Sequence, residues 1–230
     1  MLETRKRFHD ELAALESEIL GLGERAQRAL EQAMQALVHK DAELVDTVVA
    51  EDDALDATYL DIEQRILNLL ATQTPVATDL RLVSAILHAN LHLERVGDQA
   101  VNIAKIAKVT MDLPASPIVV SHLEEMAEVV AAMLRTAMEA FARRDAEMAE
   151  KLPEMDEPVD RLNRNMWREV AALASDPQAL EWGIRMNVVS RQLERVGDHA
   201  VDIGEQVAFL LTGEFREFTD ASHPSAPLKA

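Results

Sequence analysis

Acidic residues occur in pairs with a spacing of four in both halves of the sequence. Glu94 and Asp98 form one pair, and Glu194 and Asp198 form another. On an α-helix, residues four apart lie on the same face, so the two carboxylates of each pair point in one direction. Carboxylate oxygens are ligands for hard and borderline cations. The pairs therefore predict two candidate metal sites, although 41 of the 230 residues are acidic and pairs on a solvated helix face also arise by chance.

Each half carries a second acidic pair upstream of the first. These pairs are Asp52 with Asp56 and Asp156 with Asp160. In each half, the second aspartate and the glutamate are equidistant from a proline, Pro75 in the first half and Pro177 in the second. If each proline marks the turn of an antiparallel helical hairpin, residues equidistant from it lie at the same height and face one another. Four carboxylates at one level repel strongly unless a cation neutralises them.

The neutralising cation is either a metal ion or an arginine. Arg95 and Arg195 each follow a glutamate directly, and on a helical wheel each screens only one side of the acidic cluster. The alternatives are thus a metal site and a salt-bridged acidic surface. On the same wheel the acidic residues lie off the apolar face, so either arrangement is expected on the bundle surface. We expect Mg²⁺, Mn²⁺ or iron ahead of Ca²⁺ or Zn²⁺; zinc in particular prefers histidine or cysteine ligands.

The overall composition limits the class of protein that can carry these sites. The chain has 230 residues, a formal net charge of −18 and no cysteine. The charge argues against a nucleic-acid-binding protein, which needs a basic surface, and the lack of cysteine excludes disulfides and thiolate zinc sites. The longest uncharged stretch, between Arg65 and Asp79, is too short to span a membrane, and the N-terminus lacks the apolar core of a signal peptide. We therefore expect a cytoplasmic protein without direct membrane insertion.

The elements that would position the acidic residues are helices. Hydrophobic residues make up 48% of the chain and aromatic residues only 3%, and the strongest helix formers dominate. Apolar residues recur at helical spacing, which predicts an all-α fold. Six helices are expected, at about 2–40, 41–71, 75–109, 118–143, 145–174 and 178–212. Asp41 would cap the second helix, and Pro75 would lie in the first turn of the third.

The two halves of the chain are copies of one unit. LERVGDQAVNI at 93–103 returns as LERVGDHAVDI at 193–203, and AMQALVHKDAEL at 33–44 resembles AMEAFARRDAEM at 137–148. The repeat predicts two tandem three-helix bundles related by pseudo-two-fold symmetry. The expected boundaries are 1–111 for the first bundle, 112–117 for a linker, 118–213 for the second bundle and 214–230 for a C-terminal tail, of which the last stretch, FTDASHPSAPLKA, is expected to be frayed.

The histidines are expected to lie apart from the acidic pairs. His88 and His92 are four residues apart, a spacing that can bind metal on one helix face. Their wheel positions lie on the side away from Glu94 and Asp98, which favours a polar surface pair. His199 stands where the first repeat has glutamine, so a symmetric role is not expected.

Two glycines and two tryptophans are expected to serve structure. Gly97 and Gly197 lie in mid-helix, where glycine costs about 1 kcal/mol relative to alanine. Close approach of two helices explains them better than a role at a metal. Trp167 and Trp182 are interpreted as core or bundle-edge residues rather than docking anchors.

The repeated LERVGDQAVNI and LERVGDHAVDI segments, together with TPVATDLRLV at 74–83, resemble the PhoU family of phosphate-uptake regulators. The resemblance covers nearly the whole chain. It implies a cytoplasmic, non-enzymatic and often dimeric protein that represses the phosphate-starvation response when phosphate is plentiful. Proteins of this family are thought to link the ATPase subunit of an ABC-type phosphate transporter to a sensor histidine kinase. The resemblance also implies metal ions bound by the acidic motifs.

Carried over to this sequence, the resemblance gives two sets of ligand candidates. The first repeat supplies Asp52, Asp56, Glu94, Asp98 and Asn102, and the second supplies Asp156, Asp160, Glu194, Asp198 and Asp202. The two sets differ at one ligand position, where the first repeat has Asn102 and the second has Asp202. The repeats also differ at a neighbouring position, where the first has Glu63 and the second has Trp167. The two sites therefore need not share one charge, affinity or nuclearity.

Three other functions compete with the regulator. A di-iron oxidase needs Glu-xxx-His ligands that project into a helical core, and the acidic motifs supply no such histidine. An accessory subunit of a phosphate permease would bind a transporter but no kinase. A plain helical scaffold would bind no metal. Metal content distinguishes the scaffold from the others, and the identity of the protein partners distinguishes the regulator from the permease subunit.

Overall fold

The computed structural model describes residues 2–218 and confirms an all-α fold within them. In chain order the helices are α1 (Leu2–His39), α2 (Ala42–Thr72), α3 (Thr78–Thr110), α4 (Pro117–Arg143), α5 (Ala146–Ala149), α6 (Leu152–Ala171) and α7 (Pro177–Thr212). None of these helices is long and apolar enough to cross a membrane. The acidic pairs lie on α2, α3, α6 and α7.

The repeat is visible in the local structure of its turns. Lys40 and Arg144 occupy equivalent positions after α1 and α4, and both adopt the left-handed conformation, with φ of 55° and 57°. An aspartate follows each of them and caps the next helix. The Asp41 carboxylate accepts hydrogen bonds from the backbone N–H groups of Glu43 and Leu44, both at 3.0 Å. The prediction of Asp41 as an N-cap is therefore confirmed.

The last helix of each repeat lies at the centre of the molecule. α3 packs against α1 and α2 of its own bundle and against α7, while α7 packs against α4 and α6 of the other bundle. Leu93 and Leu193, at equivalent positions of the two helices, are both fully buried in one continuous hydrophobic core. Two three-helix bundles thus share a core through α3 and α7, as the internal repeat predicts.

The third helix begins later than the sequence predicts. Pro75 lies in a non-helical segment, and α3 starts at Thr78. Ala77 before it has a φ of 48°, in the left-handed region, and cannot continue a right-handed helix in either direction. The segment around Pro75 is consequently a connection between two helices and not the first turn of one.

The single helix predicted at 145–174 is broken. α5 ends at Ala149, and α6 begins at Leu152 with Pro153 in its first turn. Proline lacks a backbone N–H and therefore cannot continue the hydrogen-bond ladder of the preceding helix. After α6 the chain forms a series of turns, closed by a hydrogen bond from the Asp176 N–H to the Leu173 carbonyl at 3.0 Å.

The start of the C-terminal tail packs against α7. The ring of Phe215 stacks on Phe209 of α7 with a centroid distance of 3.9 Å. The backbone N–H of Phe218 donates a 2.6 Å hydrogen bond to the Glu205 carboxylate. The predicted tail beyond Phe218 lies outside the described residues.

Candidate metal centres in two acidic grooves and at the repeat interface

Equivalent hydrogen bonds hold the two helical hairpins in the same register. The Asn90 side chain of α3 donates to the Tyr59 carbonyl of α2 at 3.0 Å. At the matching position of the second repeat, the Ser190 hydroxyl of α7 donates to the Asn163 side chain of α6 at 2.7 Å. Each bond joins residues nearly equidistant from the intervening turn. The register brings the acidic pairs of the paired helices face to face, as the spacing predicts.

The first acidic groove lies between α2 and α3. Burial raises the pKa of Asp52, and repulsion from Asp56 and Asp98 raises it further. Burial likewise raises the pKa of Glu94, with Asp98 adding to the effect. Asn102, the remaining candidate of this set, is exposed farther along α3. Four carboxylates therefore share one groove in which their ionised forms repel each other.

Arg95 neutralises part of this charge. Its Nε lies 3.4 Å from Glu94 Oε2 and its Nη1 lies 3.5 Å from Asp98 Oδ2. Both distances exceed those of good charge-assisted hydrogen bonds. Glu94 Oε2 is buried and accepts no hydrogen bond from the described residues. The groove thus offers a buried oxygen to a further cation, while one flank carries the predicted salt bridge.

The second acidic groove lies between α6 and α7 and has a volume of about 630 Å³. Asp156, Asp160, Glu194, Asp198 and Asp202 line it together with the start of the C-terminal segment. Burial in this concave surface is the largest cause that raises the pKa of Asp198 from 3.8 to about 6, followed by repulsion from Glu194, Asp202 and Asp160. Burial and Asp160 also raise the pKa of Glu194. Arg164 pairs with Asp160 at 3.1 Å.

The two motif glycines lie against side chains of different types. A Cβ on Gly97 would lie 2.9 Å from Cδ1 of Leu55, which agrees with the expected close approach of α2 and α3. A Cβ on Gly197 would instead overlap the carboxylate oxygen of Asp156. In the second repeat the glycine therefore makes room for a candidate ligand, a role that the sequence interpretation ranked second.

Neither groove presents a preformed three-ligand site. Among the side chains that the structure describes, no three carboxylate oxygens of these grooves lie within 4.8 Å of one another. Binding of a cation would require rotation of the exposed carboxylates or coordination through water, which Mg²⁺ commonly retains. The two predicted ligand sets remain a prediction.

The only group of three described ligand side chains that converge within 4.8 Å consists of His92, His199 and Asp202. His88 is exposed, but His92 turns into the contact between α3 and α7, so the prediction of a surface pair was wrong for His92. Burial lowers the pKa of His92 and is opposed by the nearby Asp202 carboxylate. Sequence reasoning missed this cluster because it treated each repeat alone, although both histidines stand where the repeats differ.

The two tryptophans occupy opposite environments. Trp182 is buried, with 3% of its surface exposed, and belongs to the core as expected. Trp167 is 59% exposed, with the Arg168 guanidinium 5.4 Å from its ring centroid. Trp167 is thus neither a core residue nor a substitute for a groove ligand.

Comparison with protein-family models identifies the family of this chain. The PhoU domain model matches twice, at residues 19–107 and 123–207, once in each repeat. The chain belongs to the PhoU family. The double match agrees with the division into two homologous bundles.

Relatives and solved structures of PhoU match over nearly the full chain. The phosphate-specific transport system accessory protein PhoU homolog of Caulobacter vibrioides is 32% identical over 212 residues, which are 92% of this chain and 92% of the relative. The Pseudomonas aeruginosa homolog is 32% identical over 95% of this chain and 88% of its own. The crystal structure of PhoU from Pseudomonas aeruginosa superposes with a TM-score of 0.86 over 90% of this chain and 100% of its own, at 32% identity. The phosphate transport system regulatory protein PhoU from Streptococcus pneumoniae gives 0.82 at 29% identity, over 91% and 99% of the two chains.

Proposed function

We propose that this protein is an accessory and regulatory protein of a phosphate transport system and a negative regulator of the phosphate-starvation response. The observation that carries the proposal is the match to PhoU in both repeats, with relatives named as accessory proteins of phosphate-specific transport. The protein is proposed to act by contact with its partners, and we assign no enzymatic step to this chain.

In the proposed mechanism, the protein is a cytoplasmic homodimer that connects the ATPase subunit of an ABC phosphate transporter to a sensor histidine kinase. The outer face of α2 supports a role in contact, because Leu60 and Leu67 are 59% and 53% exposed and lie seven residues apart on one side of the helix. The net charge of −18 opposes binding to anionic lipid headgroups. Recruitment to the membrane therefore proceeds through protein partners.

The acidic grooves are proposed to hold Mg²⁺, Mn²⁺ or iron. The donor set is all oxygen, which suits these ions, and the buried Glu94 Oε2 accepts no hydrogen bond from the described residues and lies 3.4 Å from Arg95 Nε. In the first repeat Asp52, Asp56, Glu94 and Asp98 would hold the ion; Asp156, Asp160, Glu194 and Asp198 would do so in the second. A bound cation would neutralise the repulsion and tie together the two helices that flank each groove.

Co-isolation from membranes tests the adaptor role. The tagged full-length chain is mixed with membranes of its host that contain the phosphate transporter, and retained proteins are identified by mass spectrometry. We expect both the transporter ATPase and a sensor histidine kinase to be retained, and no binding to protein-free anionic vesicles. Retention of the transporter without any kinase would favour the permease-subunit function and contradict the adaptor. Binding to the vesicles alone would contradict recruitment through proteins.

A further inference from the structure

Three ligand atoms converge at the contact between the two repeats. His92 Nδ1 on α3 lies 3.3 Å from His199 Nδ1 on α7 and 3.3 Å from Asp202 Oδ2. The third side of this triangle, between His199 Nδ1 and Asp202 Oδ2, measures 3.6 Å. The side chains of His92 and His199 are only 17% and 20% exposed. The three atoms therefore form a partly sheltered and nearly equilateral triangle.

The size of the triangle fits a tetrahedral metal ion. With zinc–ligand bonds of about 2.0–2.1 Å, neighbouring ligands of a tetrahedron lie about 3.3–3.4 Å apart. An octahedral ion with bonds of the same length would bring neighbouring ligands to about 2.9 Å. Two of the observed separations, at 3.3 Å, match the tetrahedron, and the third, at 3.6 Å, exceeds it slightly but lies farther still from the octahedral value. Three protein ligands leave one coordination position for water or a further group.

Hydrogen bonding alone accounts less well for this arrangement. A neutral imidazole carries one proton, and a good N–H···O bond spans about 2.7–3.2 Å. The 3.3 Å contact between His92 Nδ1 and His199 Nδ1 is within hydrogen-bonding reach, but a proton on one of these atoms pairs it well with only one of the other two atoms. If both Nδ1 atoms were unprotonated, only lone pairs would meet at the centre of the triangle. A metal ion satisfies all three atoms at once.

The internal repeat provides a comparison within the same molecule. The residues equivalent to His92, His199 and Asp202 are Gln192, Gln99 and Asn102. Pseudo-two-fold symmetry relates the two sets across the centre of the contact between α3 and α7, and the equivalent positions 92 and 99 of α3, and 199 and 192 of α7, are seven residues apart. At the symmetry-related positions the chain therefore carries two glutamines and an asparagine in place of two histidines and an aspartate. Packing of the two helices does not require the histidines.

We propose that His92, His199 and Asp202 bind one divalent transition ion, of which zinc fits the ligand types and spacing best. Imidazole nitrogen together with carboxylate suits zinc and its first-row neighbours. This site is distinct from the carboxylate grooves, although Asp202 also lines the second groove. The ion cross-links α3 to α7 and so fixes one repeat against the other. The inference does not depend on the proposed regulatory function.

Cobalt titration of the chelator-treated, full-length protein tests the site. Co²⁺ replaces Zn²⁺ in such sites, and four-coordinate Co²⁺ absorbs visible light far more strongly than the six-coordinate ion. We expect one strongly absorbing Co²⁺ per chain, displaced by Zn²⁺. H92Q and H199Q should each weaken Co²⁺ binding by at least about 100-fold. Removing a residue that only supports a metal ligand already costs up to about 100-fold in affinity, and these variants remove a ligand itself.

Matched variants separate this site from other causes. His39→Gln, at an exposed position at the end of α1, should retain the cobalt signal, and so should the double variant E194Q/D198N of the second groove. H92Q and H199Q introduce the residue type that the other repeat already carries, and their circular dichroism should match that of wild type. Equal Co²⁺ affinity of wild type and the folded H92Q and H199Q variants, or a weakly absorbing six-coordinate spectrum in wild type, would overturn the proposal.

Discussion

At the scale of single residues, basic side chains neutralise only part of the negative charge of the acidic grooves. Asp52, Glu94, Glu194 and Asp198 all have raised pKa values, and in each case burial is the largest cause. The basic side chains at the grooves offset only part of this effect. Ionised carboxylates in such positions destabilise the folded state in the absence of a cation and make a bound cation more favourable.

Asp198 gives the clearest pH prediction. Its pKa of about 6 in the folded protein lies above the ordinary value of 3.8, so ionisation destabilises the folded state. This penalty is present above about pH 6 and vanishes as the pH falls towards 3.8, where both states are protonated. In chelator-treated protein, Asp198→Asn should therefore raise the melting temperature at pH 7.5, and the gain should shrink steadily between pH 6 and pH 4.

Differential scanning calorimetry across this pH range checks the Asp198 prediction. Glu124→Gln, on the exposed surface of α4, removes the same charge outside the grooves and serves as the control. Two results would contradict the prediction. The rise in melting temperature of Asp198→Asn would be no larger than that of the control at pH 7.5, or it would persist unchanged at pH 4. Either result would show that burial does not penalise the ionised carboxylate.

Residues within one repeat were easier to predict than residues between repeats. The helical period and the turn positions suffice to place Glu94 and Asp98 opposite an aspartate pair. The contact between His92 and His199 depends on the packing of α3 against α7, which no local period encodes. The sequence did contain one indication of this contact, because both histidines and Asp202 stand where the other repeat has amide side chains.

At the scale of elements, each groove is a seam between two helices of one hairpin. In each groove two of the candidate ligands come from the helix before the turn, and the helix after it supplies at least two more carboxylates. A bound cation therefore stabilises the hairpin as well as the individual side chains. Because an ion that binds only the folded state adds about 2.7 kcal/mol at 100 times its dissociation constant, the effect should be measurable by thermal unfolding.

Metal-dependent melting tests the grooves as elements. Mn²⁺ should raise the melting temperature of the chelator-treated wild type, and E94Q/D98N or E194Q/D198N should each lose part of this rise. The fourfold variant should lose nearly all of the metal that the grooves hold, as measured by mass spectrometry. E124Q/E128Q changes an exposed pair with the same spacing on α4, where no second pair faces it, and should behave as wild type.

The metal hypothesis for the grooves fails if the fourfold variant binds as much Mn²⁺ per chain as the wild type. The remaining alternative is then an acidic surface stabilised by ion pairs such as those of Arg95 and Arg164. Mn²⁺ at the histidine cluster is recognised separately, because H92Q removes it without affecting the first groove.

Helix boundaries were predicted less well than the helices themselves. The capping aspartate at Asp41 follows from side-chain chemistry and was predicted correctly. The late start of α3 was not, because alanine does not favour the positive φ that Ala77 adopts and nothing in the local sequence marks that conformation. The break before Pro153 carried a usable signal, since proline is common in the first turn of a helix and disfavoured within one.

At the scale of the whole molecule, duplication places two similar helical bundles side by side, in contact through α3 and α7. The repeated motifs predicted this architecture, because a fixed period in the sequence implies a repeated unit in space. The two repeats differ at three positions near the central contact, where His92, His199 and Asp202 correspond to Gln192, Gln99 and Asn102. The two repeats therefore present different side-chain types within one symmetric fold.

The measurement that tests the central claim most directly is a phosphate-starvation reporter, such as alkaline phosphatase activity, in a strain from which this gene is deleted. The cells are grown in high phosphate, and the wild-type gene is returned on a plasmid. A negative regulator of the PhoU type predicts constitutive reporter expression in the deletion strain and repression after complementation. Full repression in the deletion strain at high phosphate would contradict that function.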